Sequence, residues 1–400
     1  MIDRATVRLE TSDPRQVRWA CAADDARRVV WCDAATRITT LSIDGRAARS
    51  WRDPLEALDA LPELSFDDDG PAGGGRWVGF ISYDLGRLFE HLPNRPADDL
   101  NLPLFALAFA AHRGYIPPLS TAGDDDSIRP VKVESSFSRA AYERAVARVI
   151  GYIAAGDCYQ VNLAQRLTVE SPRRPAEIYA RLQAARPAVY AAFLDFGEFQ
   201  LISNSPELFL EVDPTSREVT NRPIKGTRPN HPGQFAELLH SAKDQAELAM
   251  IVDLQRNDLG RVCQTGSVQV VEPRVIEQHP TVLHGAATIR GRLRRDVRFS
   301  ELLAATFPCG SVTGCPKIRA MQIIDDLEPV ARGPYCGAIG WFDSRGAMQF
   351  NVAIRTIIMK TGQVHFSVGG GIVADSSPAA EYEETIVKAR AMLEAVGGEL

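Results

Sequence analysis

Three segments near the end of the chain, Ala338-Ile-Gly-Trp-Phe342, Gln349-Phe-Asn-Val-Ala-Ile-Arg-Thr-Ile-Ile-Met359 and Val364-His-Phe-Ser-Val368, decide the fold class. Short spacers bearing Gly346 and Gly362 separate these β-rich runs, which predicts an antiparallel meander. A helix then closes the chain over Pro378–Val396, with proline in its first turn. Upstream, Val189–Phe196 and Phe199–Ser203 flank Gly197 as a hairpin, and Leu208–Val212 and Glu218–Ile224 continue as strands. Ser138 is placed to cap a helix whose apolar face is Tyr142, Val146, Val149, Ile150 and Ile153, stapled by Phe137 and ended by Gly156. One long helical region is read over Gln234–Leu259, a strand over Thr288–Leu293, and helices over Phe299–Thr306 and Pro316–Leu327. The first 117 residues read as short strands and loops, with turn clusters at Asp67–Gly75 and Leu92–Asp99. A polar Pro/Gly-bearing segment, Pro117–Asp126, is the linker candidate. The result is an α+β protein. Its organisation is read as a β-rich region over 1–125 and a second region over 137–398.

The 400 residues carry a net charge of −6 with 45% hydrophobic content, as a globular enzyme does. No basic stripe appears, so a nucleic-acid partner is not expected. The longest apolar stretch, Leu102–Ala111, is about half a membrane span, and the charged N-terminus has no apolar leader. Seven cysteines without a C-x-x-C pair fit reduced thiols, and the seven histidines show no metal spacing. These features predict a cytoplasmic protein that does not bind membranes.

Of the 45 basic residues only six are lysines: Lys132, Lys225, Lys243, Lys317, Lys360 and Lys388. An ammonium can lose its proton and become a nucleophile, whereas a guanidinium cannot. Lys225 ends a strand in Pro223-Ile-Lys-Gly-Thr-Arg228, where Gly226 permits a tight turn. Taken alone, such a lysine is most often a solvated loop residue. Glu207, in Ser205-Pro-Glu207, lies 18 residues earlier, within reach of a hairpin return, and is a candidate general acid or an ordinary edge glutamate. Glu381, Glu384 and Lys388 share one face of the last helix, suited to a hard cation with an anionic ligand or to plain surface ion pairs. Gly369-Gly370-Gly371, read as following a strand, is a candidate anion nest or a turn. Gly310–Lys317 is not a phosphate loop, because Pro316 stands where glycine belongs.

At these residues the sequence resembles the chorismate-utilising enzymes, most closely their aminodeoxychorismate synthase component I branch. The likeness begins at Gly79-Phe-Ile-Ser-Tyr-Asp-Leu-Gly86-Arg-Leu-Phe-Glu90 and continues through Asp157-Cys-Tyr-Gln160, Ser205-Pro-Glu207, Ala246-Glu247 and Arg256-Asn-Asp-Leu-Gly260. Thr313-Gly-Cys-Pro-Lys317, Ala353-Ile-Arg355-Thr, Gly369–Gly371 and Glu381-Tyr-Glu-Glu384 complete it. The resemblance implies a two-sheet β-sandwich flanked by helices, like that of anthranilate synthase component I, with the strands of 1–125 interleaved with the core and 137–398 as the chorismate-binding catalytic domain. Within the family, Pro-Ile-Lys-Gly-Thr matches the aminodeoxychorismate synthase pattern, where anthranilate synthases carry Pro-Ile-Ala-Gly-Thr. Gln160 stands where isochorismate and salicylate synthases place a water-activating lysine. Cys315 departs from the usual alanine.

The implied chemistry is amination of chorismate at C4 to 4-amino-4-deoxychorismate, with Lys225 as covalent nucleophile and Glu207 as general acid. Mg²⁺, binding the ring carboxylate, would be held by Glu247 and Glu384, with Glu381 direct or through water, and Lys388 would pair with the same carboxylate. Arg355, Tyr335 and the amides of Gly369, Gly370 and Gly371 match the site for the enolpyruvyl carboxylate, and His284 and Thr227 match further contacts. No G-x-C-x-G motif surrounds any cysteine, so ammonia is expected from a separate glutamine amidotransferase subunit. The alternatives are anthranilate synthase component I, separated by its product, and a non-catalytic paralogue, separated by any chorismate turnover.

Overall fold

A computed structural model describes residues 2–64, 75–111, 131–279 and 282–399. The linker candidate Pro117–Asp126 lies outside these residues, as does nearly all of the Asp67–Gly75 turn cluster. Ten strands form one sheet and twelve the other. The sheets stack on inward side chains that include Val7, Leu9, Trp19, Val78, Phe80, Leu194, Leu201, Trp341 and Ile358. Helices cover the outer faces. Pro175–Ala185 and Pro378–Val396 pack on the ten-stranded sheet through Ile178, Leu182, Met392 and Val396 against Leu167, Val169 and Phe366. Ala242–Gly260 and Phe299–Thr306 cover the twelve-stranded sheet. The architecture is the α+β sandwich expected.

Strands from the first 111 residues enter both sheets. Ala5–Glu10 and Cys21–Ala26 extend the ten-stranded sheet beside Tyr190–Asp195. Arg76–Ile81 and Phe105–Ala110 lie in the twelve-stranded one, beside Ala338–Asp343. This early region also contains a helix, Pro54–Ala60, capped by Asp53.

Local signals set many boundaries. Ser138 caps the helix Arg139–Ala154 by accepting from Ala141 N–H, and the Phe137 and Tyr142 rings meet at 5.7 Å. Gly197 takes φ +80° in the hairpin between Tyr190–Asp195 and Phe199–Ser205. Three expectations change. The helical region from Gln234 breaks at Ser241, whose extended backbone ends Gln234–His240 and whose hydroxyl caps Ala242–Gly260 through Asp244 N–H. Gln349–Met359 is two strands, Met348–Val352 in one sheet and Thr356–Lys360 in the other. Gly369–Gly371 lies inside the strand Gln363–Ile372, opposite Ala164, Leu163 and Asn162, and forms neither a turn nor a nest.

The second change is what makes the site. Two chain segments step from one sheet to the other side by side. Phe199–Ser205 passes through Pro206 and Glu207 into Leu208–Val212, while Met348–Val352 passes through Ala353–Arg355 into Thr356–Lys360. The steps are tied by Val352 N–H to Glu207 O at 3.0 Å, Asn204 N–H to Arg355 O at 3.0 Å and Ser205 Oγ to Val352 O at 2.6 Å. Arg355 makes the turn at φ +50°. Glu207 and Arg355 therefore stand where the sandwich parts.

An interior ion pair braces the floor nearby. Arg332 and Glu328, 5% and 6% exposed, meet at 2.6 Å. Arg332 also donates to Val312 O and Asn162 O, and Glu328 accepts from Ala164 N–H. Its guanidinium lies over the rings of Tyr83 and Tyr335. Removing one partner leaves a buried charge unpaired. Glu328→Ala is accordingly expected to cost about 3–5 kcal/mol of unfolding free energy, read by urea denaturation.

Candidate active site

Lys225 lies on the strand Ile224–Pro229, which pairs with Val282–Arg292. The register shifts between Ile224 and Thr227, so Lys225 and Gly226 form a bulge, with Gly226 at φ +83°. Bulges re-aim side chains. Gly285 runs beneath it, where a Cβ would stand 2.5 Å from Lys225 O. The amine interacts electrostatically with Glu247, Lys388, Glu207 and Glu384, and burial drives its pKa below the usual lysine value. Lys388 adds to that lowering, while the three carboxylates oppose it. Among the described residues no hydrogen bond or ion pair engages the amine.

Glu207 is 4% exposed, and burial pushes its carboxyl up to about 7. Ser311, Lys225, the Ile224 amide and Arg355 pull the other way without overcoming it. Its Oε1 is buried without a hydrogen-bond partner among the described residues. A carboxyl titrating near neutrality beside an amine is poised to give or take a proton.

The last helix brings its predicted face inward. Lys388 Nζ contacts Glu384 Oε1 at 2.7 Å and donates to Gly369 O at 2.8 Å. A Cβ on Gly370 would lie 3.1 Å from Glu381 Oε2 and 3.6 Å from Glu384 Oε1, so both carboxylates converge on that glycine. Glu381 accepts from Ser376 Oγ at 2.6 Å. Burial, with Glu384 nearby, raises its pKa. Burial also raises Glu247, on the helix Ala242–Gly260, against the pull of Lys225 and Lys243. Burial works on Glu384 too, but Lys388, with Lys243 and Lys225, outweighs it and holds that carboxylate low. Three partly desolvated carboxylates that repel one another suit a hard divalent cation. They are gathered but not closed: among the described residues no three acidic, His or Cys side chains stand close enough to share one ion.

Across the cleft, burial lowers the Arg355 guanidinium pKa, helped by Arg186, and among the described residues it has no hydrogen-bond partner. A desolvated cation without a partner is a site for an anion. His284, 2% exposed, is neutral: burial and the Arg355 charge bring it to about 3. Its Nδ1 meets Thr227 Oγ1 at 3.0 Å. Tyr335 is 5% exposed, and burial raises its phenol well above the usual value. The predicted residues thus fall into two groups, the glutamates with Lys388 and Lys225, and Arg355 with His284 and Thr227. Glu207 faces both Lys225 and Arg355.

A family model for chorismate binding enzymes matches residues 7–394. The chain belongs to the chorismate-binding enzymes. Within this family, the anthranilate synthase component 1 of Thermus thermophilus is 37% identical over 421 residues, covering 96% of this chain and 90% of that protein. The aminodeoxychorismate synthase component 1 of Escherichia coli is 37% identical over 388 residues, covering 89% and 85%. That of Salmonella typhimurium is 38% identical over 401 residues, covering 92% and 86%. Relatives with either name therefore stand at comparable identity. The crystal structure of anthranilate synthase component I from Streptococcus pneumoniae superposes with a TM-score of 0.78 at 30% identity, covering 98% of this chain and 92% of that one.

Some members of this candidate site escaped the sequence reading. Lys243 bears on Glu247, Glu381 and Glu384, one helical turn before Glu247. Ser311 touches Glu207 from the loop rejected as a phosphate loop. The signal for Lys243 was its i, i+4 spacing to Glu247. Lys317, quoted in the motif, is structural: it bonds Asp258 Oδ2 at 2.6 Å and Thr306 O at 2.8 Å.

Proposed function

We propose that this chorismate-utilising enzyme aminates chorismate at C4, giving 4-amino-4-deoxychorismate, with ammonia supplied by a glutamine amidotransferase subunit. The observation that carries the reading is Lys225: a half-buried amine of lowered pKa, aimed by a bulge at Glu207 and the glutamate cluster. Neutral Lys225 attacks C2 while the C4 hydroxyl leaves as water, taking the proton of Glu207. Ammonia then bonds to C4 and returns a proton to Glu207, the C2–N bond to lysine breaks, and the neutral amine is regenerated. Two easier displacements replace one difficult one. Glu247, Glu381 and Glu384 would hold Mg²⁺, which when bound offsets the charge of the ring carboxylate. Lys388 pairs with that carboxylate, and Arg355 with the enolpyruvyl carboxylate, beside Tyr335 and the strand of Gly369–Gly371.

Chorismate incubated with ammonium and Mg²⁺ should yield 4-amino-4-deoxychorismate. Anthranilate with pyruvate would overturn the assignment in favour of the anthranilate synthase reading. Arg355→Met should raise the KM for chorismate about 10–100-fold, the loss of a charge-assisted contact, with a smaller change in kcat. Steady-state kinetics against chorismate concentration read this.

A further inference from the structure

His284 is the middle of a row that crosses three strands. Its register partners are Thr227 on Ile224–Pro229 and Glu277 on the strand Gln269–Gln278, so the three side chains stand on one face of the sheet. On the Thr227 side a hydrogen bond holds the imidazole. On the other side it meets a second histidine. The His279 ring lies edge-on to it, with centroids 5.4 Å apart and planes at 60°.

His279 is itself tied down. Its Nε2 stands 3.6 Å from Glu277 Oε2, its N–H donates to Val282 O at 2.9 Å, and its carbonyl accepts from Asn230 Nδ2 at 2.8 Å. Asn230 lies just past the strand that carries Lys225 and Thr227. Glu277 is anchored in turn, because Arg222 donates to its Oε1 through Nε at 3.0 Å and Nη2 at 2.7 Å. Burial works against the charge on Glu277, but His279 and Arg222 hold its carboxyl at about 2. Arg222 is fixed from its far side by Glu272 at 2.6 Å. The last torsion of an imidazole is broad. A hydrogen bond at one nitrogen and an anchored ring on the other side together set its direction before substrate binds, and a contact oriented in advance costs less on binding.

We propose that His279 and Glu277 are positioning residues for His284, an anchored imidazole that keeps it turned to Thr227 on the Arg355 side of the chorismate site. The inference rests on the reading above only in placing His284 against chorismate. The test is the initial rate of chorismate consumption by the full chain with ammonium chloride and Mg²⁺, a readout that does not depend on which product forms. His279→Ala and Glu277→Gln are each made alone and together with His284→Ala. Each alone should raise the KM for chorismate about five- to tenfold, with a smaller change in kcat. In the His284→Ala background the same changes should alter KM less than about twofold, because the ring they act through is gone. A general lesion of folding would keep its full effect in both backgrounds. That result, or a KM unchanged by both single variants, overturns the positioning role. A wild-type KM in His284→Ala alone removes His284 from the substrate and this inference with it. Anthranilate as the product overturns the amination reading and leaves the positioning role standing.

Discussion

Lys225→Ala is expected to lose amination of chorismate by on the order of 10³-fold or more, because it removes the nucleophile. Whether the loss is of charge or of nucleophilicity is separable. Lys225→Arg keeps a cation of similar reach, but a guanidinium does not give up its proton at any working pH. Both variants should be inactive, with the KM for chorismate little changed. If Lys225→Arg kept wild-type turnover, the residue would be an electrostatic contact and the covalent route would fall. In the free enzyme burial and Lys388 lower the amine pKa while Glu247, Glu207 and Glu384 resist. Activity should therefore fall as pH drops through the lysine pKa, the acid limb of a bell.

Glu207 supplies the other limb. Its carboxyl titrates at about 7, and it must be protonated to act as the acid. With the amine already neutral at that pH, kcat/KM should fall as pH rises through about 7. Glu207→Gln should lower kcat by about 10²–10⁴-fold and erase that alkaline limb. The same shift has a sign in stability. A carboxyl raised above its unfolded value, near 4.3, binds more protons in the native state, so the native state loses ground as pH rises between the two values. Glu207→Gln removes this penalty. It should unfold at higher urea than wild type at pH 8, by on the order of 3–4 kcal/mol, and alike near pH 4. A variant that is both inactive and less stable at pH 8 would make Glu207 a structural acid.

Much of the fold is legible in local chemistry. Ser138 with Phe137 and Tyr142 marks a helix start, and Gly197 marks a hairpin, because caps and turns are decided within a few residues. The face of Glu381, Glu384 and Lys388 is legible for the same reason, since helical spacing alone places them together. What is not legible is where a strand changes sheets. No glycine or proline interrupts Gln349–Met359, and nothing local reports that Arg355 turns through positive φ. The triple glycine misleads similarly. Glycine reads as a turn, but here the missing Cβ atoms admit Leu163 O, the Glu381 carboxylate and Gln160 against a strand.

The site was legible in part. Lys225 looks like a loop lysine in isolation, and only the family resemblance and the bulge in three dimensions single it out. Ser311 and the Arg332–Glu328 brace carry no signature that distinguishes them from ordinary core residues. Their partners arrive from distant parts of the chain, such as Asn162, 170 residues before Arg332.

The covalent claim is tested most directly by intact-protein and peptide mass spectrometry after mixing the enzyme with chorismate and Mg²⁺ and withholding ammonia. The account predicts a species heavier by chorismate less one water, mapping to the peptide bearing Lys225 and discharged when ammonium is added. Unmodified protein that nevertheless aminates chorismate at C4 once ammonium is supplied would contradict it.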